Sequence, residues 1–329
     1  MRPVGIIANP ASGKDIRRLV AFGSVFDNHE KVNIVRRVLL GLDSMGVQDV
    51  RIMPDFFGIG PRALDDLDLS LKVSYLDIPL EGTQEDSTRA AKALSDLGAA
   101  CIVTLGGDGT NRAVAKACGE VPLLPISTGT NNVFPFMVEG TLAGIAAGVA
   151  ALDSSSPRSF IDRAPRLEIR RGSELVDIAL VDVVVSNPGF IASRAVWDVS
   201  TIHEIFLTRA EPGTIGFSSV GANVCALPAN SGKGVHITIG DGGQRVKAPI
   251  APGLIRWVSV ASYRVFEPAE PIPVSYTPSV IALDGERELI VSKGDRLTIH
   301  LAPKGPRVVD IARALRQASE LCLFLQPQA

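Results

Sequence analysis

Tyrosine and tryptophan are scarce in this chain: its 329 residues include 3 Tyr, 2 Trp and 12 Phe. So few flat rings leave little on which a single nucleic-acid strand could stack. Charge of one sign is also missing. The 33 Lys and Arg are balanced by 35 Asp and Glu, which argues against a general nucleic-acid binder, a class that presents a basic face. The 4 Cys (Cys101, Cys118, Cys225 and Cys322) include no CxxC pair and none beside a His at metal-ligand spacing. They read as small buried hydrophobes in a reducing cytoplasm. No apolar run is long enough for a bilayer, since Leu142 to Leu152 is the longest and a span takes about 20 residues. The first apolar run breaks at Asn9-Pro10, unlike a secretory leader. These absences predict a cytoplasmic protein whose partners include neither membrane nor nucleic acid.

The chain is 46% hydrophobic and 21% charged, a globular composition, and its length predicts two domains. Its first half alternates short apolar runs with helical spacing. Strands are expected at 4–8, 49–53, 72–78, 99–105 and 123–126, and helices at 29–46, 84–98 and 139–152. This alternation predicts an open parallel α/β sheet over residues 1–153. Glycines within 142–152 suit close helix packing. A linker is expected at Ser154 to Pro157. Beyond it, β-branched runs at 165–171, 175–186, 234–240, 254–267, 279–284 and 296–302 predict a mostly antiparallel β-rich domain over 154–302. Turns at Gly240–Gly243 and Lys293–Asp295 are expected to separate strands, and a helix at 198–209 to interrupt them. The tail, 303–329, returns to helical spacing and is placed against the first domain.

Three polar, glycine-bearing turns follow buried strands of the first domain. The most informative is Gly106-Gly107-Asp108-Gly109-Thr110-Asn111, which runs into a helix. Its glycines let backbone approach a ligand, and the helix start offers N–H groups to phosphate. Asp108 would repel an anion, so it suits a group that takes a proton from a hydroxyl or holds Mg²⁺ against phosphates. The turn lacks the third Gly of a dinucleotide fingerprint, because Arg112 stands there. The turn Ser127-Thr128-Gly129-Thr130-Asn131-Asn132 offers neutral donors, and the turn Asn9-Pro10-Ala11-Ser12-Gly13-Lys14 adds a cation. Ligands of open parallel sheets bind outside the carboxyl ends of the strands, so the three turns are expected to share one cleft. Asp284-Gly285-Glu286 in the second half reads equally as a hairpin turn or as part of a site.

These motifs, in this order, resemble the superfamily that joins NAD kinases with diacylglycerol and sphingosine kinases. Its hallmark GGDGT loop is Gly106 to Thr110. Its Asn-Pro-x-Ser-Gly-Lys start is Asn9 to Lys14, its Gly-Thr-x-Asn loop is Gly129 to Asn132, and its late Asp-Gly-Glu is Asp284 to Glu286. Asn9 to Arg18 and Leu124 to Pro135 are most similar to the ATP-NAD kinase branch called acetoin catabolism protein X. The resemblance implies an NAD kinase-like fold with a nucleotide cleft between its domains. It further implies Mg²⁺-dependent transfer of the ATP γ-phosphoryl group to a hydroxyl of NAD(H), in a homodimer or homotetramer. Under it, Asp108 and Glu286 are catalytic and Asp284 holds metal. Asn9, Ser12, Gly13, Lys14, Gly106, Gly107, Gly109, Thr110, Asn111, Thr128, Gly129, Thr130, Asn131, Asn132 and Asp182 bind nucleotide. Val181-Asp182 stands where NAD kinases carry an Asn-Glu pair, and Phe217 to Ala222 is the nearest match to their Tyr/Ser-rich segment. The alternatives are a lipid or small-alcohol kinase on the same fold and a non-catalytic NAD(H)- or nucleotide-binding regulator linked to acetoin catabolism.

Overall fold

The computed structural model describes residues 2–13, 22–23, 26–129, 131–152, 159–187 and 198–325. Strand β1 (Val4–Ala8) is buried at every position. Helix α1 (Asn28–Ser44) follows, capped by Asp27, which accepts from the Glu30 N–H. Next come β2 (Asp49–Ile52), α2 (Ile59–Leu64), β3 (Lys72–Tyr75) and α3 (Glu85–Asp96). Strand β4 (Cys101–Gly106) turns at once into α4 (Asp108–Ala115), and β5 (Leu123–Ser127) leads through a polar turn to α5 (Gly140–Ala151).

Strand β6 (Ile161–Arg163) precedes the β-rich half: β7 (Arg166–Arg171), β8 (Glu174–Ala179), β9 (Asp182–Ser186), β10 (Ile202–Leu207), α6 (Ser218–Val224), β11 (Gly234–Ala251) and β12 (Leu254–Phe266). It continues with β13 (Ile272–Pro273), β14 (Ser279–Leu283), β15 (Glu286–Val291) and β16 (Leu297–Ala302), and the chain closes with β17 (Arg307–Val309) and α7 (Ile311–Glu320).

Among the described residues the strands form three sheets. The first has the order β3-β2-β1-β4-β5-β17-β6 and is parallel except for β6 at its edge. Its strand order reverses between β1 and β4, which opens a crevice at their carboxyl ends. The other two sheets, β12-β11-β10-β9-β14-β15 and β13-β16-β7-β8, are antiparallel and share an apolar core around Leu167, Val183, Phe206 and Ile281. Apolar runs of the first half become strands buried on both faces, as a helix-covered parallel sheet requires.

The structure corrects four expectations. Residues 161–163, expected in the second domain, join the first sheet through β17. The helix expected at 198–209 is a 3-10 turn followed by β10, held between β9 and β11 with five of its six residues buried. The turn expected at Gly240–Gly243 is a bulge inside β11, since Ile239 and Gln244 both face Val260. Of the cysteines, Cys101 and Cys118 are buried but Cys322 is exposed.

Candidate active site

The turns after β1, β4 and β5 meet. Asn9 Nδ2 donates to Thr110 Oγ1 at 3.0 Å, tying the first turn to the start of α4. The Ser12 and Thr128 hydroxyls share a hydrogen bond of 3.1 Å, tying the first turn to the third. The Thr128 N–H reaches the Gly106 carbonyl at 3.2 Å. A Cβ on Gly107 would stand 2.6 Å from Asn132 Oδ1, so any larger residue there would have to displace the Asn132 side chain. Asn132 Nδ2 donates to Ser127 Oγ, and Ser127 Oγ to the Gly129 carbonyl, which stiffens the third turn. Lys14 and Thr130 lie outside the described residues.

Asp108 opens α4, and its carboxylate is aimed at the third turn. Oδ1 accepts from the Phe134 N–H at 2.7 Å, and Val133 N lies 3.1 Å from both oxygens. These amides fix one orientation of a carboxylate that is only 8% exposed. Asn111, buried, takes a bond from Thr104 Oγ1 at 2.6 Å and gives one to the Gly107 carbonyl. Its side chain braces the turn from below. Among the described residues Asn131 Oδ1, shielded from solvent, has no hydrogen-bond partner, an acceptor left over on the third turn. The first N–H groups of any α-helix lack intrahelical partners and carry partial positive charge, so α4 begins as an anion receptor.

The second domain reaches this spot with its β14–β15 hairpin. Glu286 Oε1 would lie 3.2 Å from a Cβ on Gly109. Gln84 from α3 donates to the Gly109 carbonyl at 2.6 Å. Asp284, expected as a metal ligand, is placed otherwise. It occupies the left-handed region (φ 51°) before Gly285 and its side chain is 0% exposed. Its oxygens accept from the N–H groups of Leu180, Val181 and Asp182 at 2.8–3.3 Å. That saturation gives Asp284 the work of fastening the hairpin to β9. Burial pushes its carboxyl above the usual range, offset in part by Arg112 and the three N–H groups. Asp182, the first residue of β9, is buried beside it.

Three cations went unread in the sequence. Lys31, fully buried on α1, donates to the carbonyls of Asn9 (2.9 Å) and Ser12 (2.8 Å), holding the first turn from beneath. Its signal was present, since Lys31 extends the apolar stripe of Val35, Val38 and Leu42 by one turn. Arg112, 1% exposed, spans the domains: Glu288 lies at 2.7 Å, Asp177 at 3.5 Å and Asp284 at 3.7 Å. Burial alone would lower Arg112, but these three carboxylates outweigh it and keep it charged. Arg209, just past β10, lies over the Phe134 ring at 5.7 Å. Burial pulls it below the usual arginine value, against the pull of Glu211, Asp108 and Asp284. Among the described residues no cluster of His, Cys, Asp and Glu could by itself cage a metal ion.

The chain is similar to proteins of known family in both halves. A family model described as the ATP-NAD kinase N-terminal domain matches residues 4–151. One described as the acetoin catabolism protein X C-terminal domain matches residues 165–304. Acetoin catabolism protein X of Cupriavidus necator is 39% identical, over 96% of this chain and 92% of that protein. Among solved structures, yeast NADH kinase complexed with NADH superposes with a TM-score of 0.50 at 15% identity, covering 100% of this chain and 90% of that one. An NAD kinase from Archaeoglobus fulgidus in complex with ATP gives 0.44 at 13% identity, covering 98% and 100%.

Proposed function

Since the chain belongs to the acetoin catabolism protein X family, we propose that it is a kinase of the NAD kinase type. It transfers the γ-phosphoryl group of ATP to a hydroxyl of NAD(H). The observation that carries this reading is the meeting of three turns, each after a buried parallel strand, at one oriented carboxylate. Phosphoryl transfer asks mainly for positioning and charge neutralisation, which such a cradle supplies.

In this reading the start of α4 and the Gly106–Thr110 backbone receive phosphate oxygens. Ser12, Thr128 and Asn131 complete the hydrogen bonds around them. Asp108 takes the proton of the attacking hydroxyl, its orientation held by the Val133 and Phe134 amides. Asp182 faces the acceptor's ribose from β9. Mg²⁺ would neutralise phosphate charge when bound with ATP. The residues present suit a cation that arrives on phosphates and takes one or two carboxylates, here Asp108 at the start of α4 and Glu286 at the start of β15, near Gly109, better than an all-protein cage.

The test is to incubate the purified protein with ATP, Mg²⁺ and NAD⁺ or NADH and to resolve phosphorylated dinucleotide by mass spectrometry. Asp108→Asn is expected to lower turnover by about 10²–10⁴-fold. Full activity in that variant would remove Asp108 from the mechanism. Tight binding of NAD(H) with no product would instead favour a nucleotide-binding regulator.

A further inference from the structure

Arg209 follows β10 in the segment Leu207-Thr208-Arg209-Ala210-Glu211. The backbone is pinned on both sides of it. Thr208 Oγ1 donates to the Leu180 carbonyl at 2.8 Å, and Ala210 pairs with Leu227. The guanidinium is held over the ring of Phe134, whose N–H is one of two that grip Asp108. Second-domain cation and first-domain carboxylate therefore meet at a single residue, one over its ring and the other on its backbone N–H.

What sets Arg209 apart is its want of a partner. Among the described residues it makes no hydrogen bond and has no carboxylate within 4.0 Å, and its Nε is shut from solvent with nothing to bond. The same molecule surrounds Arg112 with three acids. A half-buried guanidinium whose Nε is shut from solvent lacks an acceptor there, and its planar fork of five donors matches phosphate oxygens in pairs. The surroundings favour phosphate as the missing acceptor. The α4 start belongs to the turns that meet at Asp108, and a helix start offers N–H donors.

We propose that Arg209 binds a phosphate group of a nucleotide, closing the cleft from the second domain against the Gly107–Thr110 turn. That the phosphate belongs to ATP or to NAD(H) rests on the kinase reading; that Arg209 binds a phosphate does not. As a group touching substrate it neutralises charge from the second domain, on the Phe134 side of the cleft.

Calorimetric titration of inorganic pyrophosphate, ADP, NADH and adenosine into the wild type, Arg209→Met and Arg209→Lys tests this. Arg209→Met is expected to weaken pyrophosphate by at least about tenfold and to leave adenosine unchanged, with Arg209→Lys in between. Loss of ADP affinity places the residue on the donor side, and loss of NADH affinity on the acceptor side. The ligand-free unfolding midpoint of Arg209→Met should not fall, because no protein partner is lost. Pyrophosphate binding equal to wild type in Arg209→Met, or a wild type that binds no phosphorylated probe, overturns the assignment. A variant that loses pyrophosphate, beside a wild type that phosphorylates nothing, overturns the kinase reading alone.

Discussion

Lys31 ties two backbone carbonyls of the first turn to helix α1. Lys31→Met removes that donor; the Asn9 carbonyl still accepts from Ser12, so the loss falls mainly on the Ser12 carbonyl, at about 1–3 kcal/mol. Thermal unfolding should fall by several degrees, and nucleotide affinity, read by calorimetry, should drop with it; unchanged affinity would show that the turn keeps its shape unaided. Acid sensitivity is also set by single residues. Burial would raise Glu168, but its bonds to Arg170 and Arg166, each 2.6 Å, outweigh this and hold it below its ordinary 4.5. A depressed carboxyl stabilises the fold above its unfolded value and loses that contribution as pH falls through the folded one. Urea midpoints should therefore show Glu168→Gln weaker than wild type at pH 7, with the gap narrowing as the pH falls below 4.5. The three turns were legible because each joins a buried apolar run to glycine and small polar residues. Arg112 and Arg209 were not, because their environment comes from distant chain, as with Arg112 and Glu288, 176 positions apart.

Elements of the first domain were readable for a related reason: their periodicity is local. The strand at 4–8 was read to the residue, and three helices to within two residues. Residues 202–207 failed because a buried central strand reads much like a buried helix until its neighbours are known. The long β11 failed likewise, since only pairing with β12 reveals that Gly240–Gly243 loops out and the strand resumes. The glycines of α5 answer to packing against α1. A Cβ on Gly41 would come within 2.5 Å of the Thr141 carbonyl, and one on Gly144 would collide with that of Val38. Gly144→Ala must push two helices apart, and overpacking of this kind costs about 1–3 kcal/mol. Denaturant melts are expected to register it, whereas Gly46→Ala, with open space around it, should owe its cost to backbone strain alone.

At the scale of the whole molecule, the domains are clasped by Arg112 on α4 against Asp177, Asp284 and Glu288. Arg112→Met strands a carboxylate with 0% exposure, and breaking such a buried pair costs about 3–5 kcal/mol, or roughly 10 °C in Tm. Glu288→Gln, at a partly exposed acid, should cost under about 1 kcal/mol. Differential scanning calorimetry of the two variants would expose a wrong assignment if they melted together. The same α4 carries Asp108, so strain at the clasp reaches the crevice through one rigid helix. The placing of β17 between β5 and β6 has an effect on how the protein must be made. A ribosome delivers the first five strands of that sheet early, then all of the β-rich half, and only afterwards the strand that sits between β5 and its neighbour. Strands β1–β5 thus wait with an open edge beside β5 until the whole β-rich half has been made.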